Sequence, residues 1–280
     1  MRRIHLIHDT YNWDSYSIVR SMVEVLKERD DIVLLSGGVT MSTVEPGCDV
    51  WLFSSAISFL PRVYEIFKKN RINVVIFGLS DPNMFDATRL SVCDVYCTND
   101  LPTARKHGKA YHFPYGVDLK YFKKVDIKKD IDVLFVGTLR HPYIPIRVNY
   151  IQDLAHENIQ LDTYGNGFKD TLKGEKLIEA YNGAHLNLDI CTEVSSLASR
   201  IFQAAACGTP TLTLKREDVL QCFEDGKEIL TYTGGYDNMV SAIKKALDDK
   251  DRLAEIGENA RHRCIRDHGI RQRINDFINT

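Results

Sequence analysis

Two α/β domains, each a parallel sheet with helices on both faces and together facing a cleft, are what this sequence predicts. Three observations carry that expectation. Short β-rich apolar runs alternate with amphipathic runs along most of the chain, the pattern of strand–helix–strand units. The alternation lapses once, over 114–130, where Lys120, Lys123, Lys124, Lys128 and Lys129 make the chain basic and polar, and then resumes. At 280 residues the chain is long enough for two domains of ordinary size. The organisation expected is therefore a Rossmann-like domain over 1–116, a linker over 117–130, a second Rossmann-like domain over 131–266, and a last helix within 267–280.

The elements follow in order. In the first half, 4–7, 32–35, 50–53, 74–79, 95–97 and 110–113 are short, apolar and β-rich, so they read as buried strands. Between them, 15–27 places Ile18, Met22, Val25 and Leu26 at helical spacing, with Asp14 suited to cap it. The run 61–69 opens on Pro61, which a first helical turn accommodates because its missing N–H has no partner there anyway. In the second half the strands expected are 133–136, 161–164, 186–189, 211–214 and 229–232. The helices expected are 146–156, 175–182, 196–206, 236–247 and 252–266. Open sheets of this type bind ligands beyond the carboxyl ends of their strands.

Bulk composition narrows the function classes. Hydrophobic residues make up 44% and charged residues 26%, ordinary for a globular chain. A net charge of −2 gives no global basic field of the kind that gathers nucleic acid. No apolar run approaches the ~20 residues of a membrane span, and the apolar run near Met1 is too short for a signal-peptide core. Seven scattered cysteines, an odd number, suit reduced thiols in the cytoplasm.

Several segments carry groups suited to chemistry. The expected helix 196–206 follows Ser195-Ser196-Leu197, and serines at a helix start leave N–H groups and the positive dipole end available to a phosphate. Arg200 and Gln203, three apart, share one face of that helix. The first strand of the second half runs into Gly137-Thr138, where glycine permits close backbone approach. Arg140 and Arg147 flank the loop that follows; each reads as a surface arginine or as a bidentate anion ligand. Tyr164-Gly165-Asn166-Gly167 ends the next strand and reads as a turn. In the first half, His8-Asp9 and Ser80-Asp81 both follow expected strands. Each aspartate reads either as a cap or as a group that orients an acceptor hydroxyl or takes its proton. Asp130-Ile131-Asp132 precedes a strand and reads as a polar linker end, not a metal motif.

The run Arg200-Ile201-Phe202-Gln203-Ala204-Ala205-Ala206-Cys207-Gly208-Thr209 resembles the donor-site helix of group 1 glycosyltransferases, which have the GT-B fold. It is most similar to the spore-maturation-type branch. The likeness extends through 223–232 and 267–273, and Phe113-Pro114-Tyr115-Gly116-Val117-Asp118 resembles the family's interdomain segment. The resemblance implies transfer of a sugar from a nucleoside-diphosphate sugar to an acceptor hydroxyl, without metal or further cofactor, a UDP-sugar being the favoured donor. It implies catalytic roles for Arg140 and Arg200; Asp81 is the catalytic candidate of the first half by its place after an expected strand. The resemblance implies donor binding by Gly137, Thr138, Arg147, Tyr164, Gly165, Ser195, Ser196, Leu197 and Gln203, while His8 and Asp9, placed after the first expected strand, read as acceptor-side contacts. The last helix would cross back to the first domain. Many members carry glutamates where this chain has Ser195 and Gln203. That departure keeps open a protein that binds sugar nucleotides without turnover. The acceptor implied is a glycan or small molecule; a modified DNA base would demand salt-dependent phosphate contacts that the net charge does not favour.

Overall fold

The computed structural model describes all residues except 8–17, 36–43, 54–60, 80–84, 141–143, 169 and 193–196. The chain divides into two compact units, Met1–Tyr115 with Ile270–Thr280, and Gly116–Gly269.

The first unit is built on six strands: β1 (Arg2–Ile7), β2 (Ile32–Leu35), β3 (Asp49–Phe53), β4 (Asn73–Gly78), β5 (Val95–Thr98) and β6 (Ala110–His112). They pair in parallel in the order β2-β1-β3-β4-β5-β6. β3 is buried at every position, so its sequence is continuously apolar after Asp49. Helix α1 (Ile18–Lys27) buries Val19, Met22, Val25 and Leu26, while α2 (Pro61–Lys69) buries only Phe67. A 3₁₀ turn (Ala87–Val92) and α3 (Leu101–Lys106) complete the connections, α3 capped by the Asp100 carboxylate accepting from the Thr103 N–H.

The second unit has five strands: β7 (Ile131–Val136), β8 (Leu161–Tyr164), β9 (Ala184–Asp189), β10 (Thr211–Leu214) and β11 (Leu230–Tyr232). Their order is β11-β10-β9-β7-β8, every pair parallel. The helices are α4 (Ile146–Leu154), α5 (Glu175–Gly183), α6 (Ser199–Ala206), α7 (Glu217–Cys222), α8 (Tyr236–Leu247) and α9 (Lys250–Asp267). Read from β7, the first strand of the unit, this is the doubly wound order 2-1-3-4-5. Successive connections therefore leave β7 in opposite directions, and the strand order reverses between β7 and β9. At such a switch point the loops splay apart beyond the carboxyl ends and open a crevice.

The last helix, α10 (Ile270–Ile278), belongs to the first unit. Phe277 sets its ring against Trp51, Phe77 and Phe113 at centroid distances of 5.4, 5.8 and 6.1 Å, and Arg29 donates to the Asn275 side chain. The stretch expected as a linker, 117–130, is partly packed. Phe122 is 2% exposed, and Lys129 donates to the Ala184 carbonyl and the Thr209 hydroxyl. Burial pulls the Lys129 ammonium down to about 8.

Candidate active site at the β7–β9 switch point

The loops after β7 and β8 are held together by backbone. Gly137 N–H donates to Tyr164 O at 2.9 Å, and Leu139 N–H to Asn166 O at 2.8 Å, so the ladder continues past both strands. Gly165 has φ +125°, and a Cβ there would lie 2.2 Å from the Gly137 carbonyl oxygen. Only glycine fits that approach. A Cβ on Gly137 would meet Arg200 Nη2 at 2.8 Å and Phe135 Cζ at 3.1 Å, so the bare Gly137 backbone is where the Arg200 guanidinium rests.

Arg200 reaches this point from the first turn of α6. That helix begins at Ser199, and its cap, Ala198, has extended backbone (φ −84°, ψ 140°) with no side-chain capping bond. The expected serine-opened start is therefore corrected. Leu197 is fully buried and Ala198 extended, which holds the chain off the helical path until Ser199. Ser195 and Ser196 lie outside the described residues, as do His8, Asp9 and Asp81.

Charge is concentrated beneath Arg200. It ion-pairs with Asp189, which ends β9 at 0% exposure. Asp189 also accepts the Thr213 hydroxyl at 2.9 Å. Burial would raise this carboxyl, but Arg200, Arg216, the Thr213 hydroxyl and Arg147 outweigh it and hold Asp189 below the ordinary carboxylate value. Arg216 grips Asp218 with two bonds, at 3.1 and 3.0 Å, and donates to the Thr192 carbonyl. Arg147 is 1% exposed. It donates to Thr138 O at 2.7 Å and to Ile190 O at 3.2 and 2.7 Å, tying together the chain just after β7 and just after β9. Burial and then the Arg200 charge bring its guanidinium down to about 10, so it stays cationic at neutral pH. The guanidinium carbons of Arg147 and Arg200 sit 5.2 and 5.5 Å from the Phe135 ring centroid, within cation–π range.

Three guanidiniums thus face two carboxylates, leaving one excess positive charge in a poorly solvated place. Arg200, its side chain 16% exposed, is better placed to reach solvent than Arg147. Such a preorganised cation suits an oxyanion or diphosphate, because a low dielectric strengthens the interaction and little reorganisation is needed.

The other expected residues fall as follows. Gln203 is half-buried one turn along α6, and its carbonyl oxygen accepts the phenol of the fully buried Tyr181 at 3.2 Å. Tyr181 is itself fixed by the Thr209 hydroxyl, which donates to the Tyr181 carbonyl. Gly137, Thr138, Tyr164 and Gly165 lie together on the fused loops, and Arg140 is exposed at their rim. Asp189, Thr213, Arg216 and Asp218 carry no motif. The sequence signals only Asp189 among them, as a charged residue closing the expected strand Leu186-Asn187-Leu188-Asp189.

The comparisons with known proteins agree with this architecture. A glycosyl transferase-like family model matches residues 147–279, a span that includes Asp189, Arg200 and Gln203. A search of curated sequences returns no significant match. Among solved structures, the chain is similar to sucrose-phosphate synthase from Thermosynechococcus elongatus, with TM-score 0.73 and 13% identity, covering 100% of this chain and 98% of that one. It is similar to Anabaena Alr3699/HepE in complex with UDP, with TM-score 0.72 and 13% identity, and in complex with UDP-glucose, with TM-score 0.71 and 14% identity; both cover 100% of each chain. The two doubly wound parallel sheets and these full-length neighbours give the chain the GT-B fold, and the family match over 147–279 supports its being a glycosyltransferase.

Proposed function

We propose that the second unit binds a nucleoside-diphosphate sugar across the carboxyl ends of β7, β8 and β9, and that the chain transfers the sugar to an acceptor hydroxyl. One observation carries the reading. Arg200 is held by Asp189, Gly137 and Phe135 at the switch point, where such sheets bind ligands. The diphosphate would meet Arg200 and the Gly137–Thr138 backbone, and Arg200 would take up charge as the diphosphate departs. Arg140 at the rim would add a second guanidinium, while Arg147 would act from behind by fixing the two strand ends. Positive charge comes from guanidinium in this scheme, so the transfer needs no metal.

A UDP-sugar is the favoured donor; the Anabaena neighbour's UDP and UDP-glucose complexes support that choice. Within the glycosyltransferases we place the chain nearest the spore-maturation-type branch, on the run from Arg200 to Thr209. All seven cysteines are buried and free, which suits a reducing compartment such as the cytoplasm. No helix among the described residues is long and apolar enough to cross a membrane.

One observation favours a second reading, a sugar-nucleotide binder without turnover. Gln203 is neutral, and its carbonyl oxygen is already engaged by Tyr181. A thermal-shift screen of nucleoside diphosphates and their sugars separates the possibilities. A ligand that binds only the folded chain raises its melting temperature, and release of UDP from a stabilising UDP-sugar marks turnover. No shift with any nucleotide would end the proposal.

A further inference from the structure

The reading above uses Asp189 to hold Arg200 but gives its carboxylate no part in the reaction. A buried ion pair is weak evidence of a stabilising role, because an apolar pair of the same shape often serves folding as well. Yet Asp189 closes β9 at full burial and is approached from three separate elements: Arg200 on α6, Thr213 on β10, and Arg216 at the cap of α7. The other terminal nitrogen, Nη2, lies against Gly137, where no side chain intervenes, and the guanidinium lies near the Phe135 ring. Arg200 is thereby enclosed by a carboxylate, a bare backbone and a ring.

We propose that Asp189, set by Thr213, is the positioning residue that fixes the direction of the Arg200 guanidinium toward the departing diphosphate. The inference rests on the nucleotide-sugar reading and deepens it by naming the residue that acts through Arg200.

This role has a consequence that a merely structural aspartate lacks. Orientation matters most in the transition state, where charge develops at a defined oxygen. Ground-state attraction of a diphosphate depends more on net charge, and there the Asp189 carboxylate opposes it. Removing the charge while keeping the shape should separate the two effects.

The test uses UDP as the binding probe and UDP-glucose as the turnover probe, with UDP release as the readout, on the full chain. In Asp189→Asn, UDP should bind at least as tightly as in wild type, by up to several-fold, while UDP release from saturating UDP-glucose falls at least ten-fold. If UDP binding and turnover weaken together, Asp189 is structural and the proposal is overturned. Should Asp189→Asn fail to fold, Thr213→Val keeps the side chain's size and removes one bond to Asp189. It should lower turnover about three-fold without weakening UDP binding, and wild-type turnover in it overturns the proposal. Arg200→Ala serves as the reference. If it leaves UDP binding unchanged, the nucleotide-sugar reading itself has failed; if it weakens binding while Asp189→Asn matches wild type in turnover, only the role of Asp189 has failed.

Discussion

Replacing Gly137 with alanine places a methyl group where the Arg200 guanidinium lies. The new Cβ would stand 2.8 Å from Arg200 Nη2, and ordinary contact begins at 3.4 Å, so the guanidinium must retreat by about 0.6 Å. The obstructing atom is the end of a side chain, so the fold gives way cheaply, at about 1 kcal/mol. Function should suffer more. Misplacement on the order of 1 Å in a preorganised site can cost about 100-fold in rate, so a shift of this size is expected to cost about ten-fold, or ~1.4 kcal/mol of activation free energy. The assay is UDP release from UDP-glucose alongside a thermal melt. Gly165→Ala is the contrast. There the Cβ meets the Gly137 carbonyl oxygen at 2.2 Å and φ is +125°, so the backbone itself must move. A stability loss of at least about 2 kcal/mol is expected. Wild-type turnover in Gly137→Ala, with Arg200 unmoved in its crystal structure, would refute the claim that the bare backbone seats the guanidinium.

Other expectations follow from the same site and from the buried thiols. Gln203→Glu should fold and keep or improve UDP affinity, because a carboxylate can accept both the Tyr181 phenol and a ribose hydroxyl, whereas Gln203→Ala should weaken it; calorimetry decides, and unchanged affinity in both would remove Gln203 from the site. UDP release should survive EDTA, and a rate abolished by chelation and restored by magnesium or manganese would contradict the guanidinium scheme. Burial pushes the thiols of Cys93, Cys191 and Cys207 up to about 12. A raised folded-state value means their contribution is complete below the unfolded thiol value near 9 and is lost as pH climbs from there to 12, by up to ~4 kcal/mol per thiol. Lys129, pulled down to about 8, acts in the opposite direction between pH 8 and its unfolded value near 10.5 but is a single group. Denaturant melts at pH 8 and pH 11 should therefore show a net loss, and equal stability would contradict the burial of these thiols.

Much of the fold was legible because buried parallel strands are short, apolar and β-branched, and helices repeat at 3.6. The runs 32–35, 161–164 and 211–214 and the helices at 61–69 and 236–247 coincide with the observed elements. What escaped was short or set by tertiary contact. α3 and α7 are six residues each, too brief for periodicity to register. Ser195 and Ser196 look like caps locally, but α6 begins only at Ser199, after the buried Leu197 and the extended Ala198. Arg200 and Gly137 could be singled out from the sequence, but the carboxylate that holds Arg200 could not. Thr213 and Arg216 lie more than twenty residues after Asp189 and reach it because β10 pairs with β9 beside the switch point, Thr213 opposite Asp189.

Titration of UDP into wild type and Arg200→Ala tests the central claim most directly. Wild type is expected to bind. The variant should lose about 1.5–3 kcal/mol, the worth of a charge-assisted hydrogen bond, or roughly ten- to 150-fold in affinity. It also leaves Asp189 buried without its ion-pair partner, which costs stability, so circular dichroism must show it folded at the titration temperature. A folded Arg200→Ala chain that binds UDP as tightly as wild type would contradict the assignment of the β7–β9 switch point as the nucleotide-sugar site.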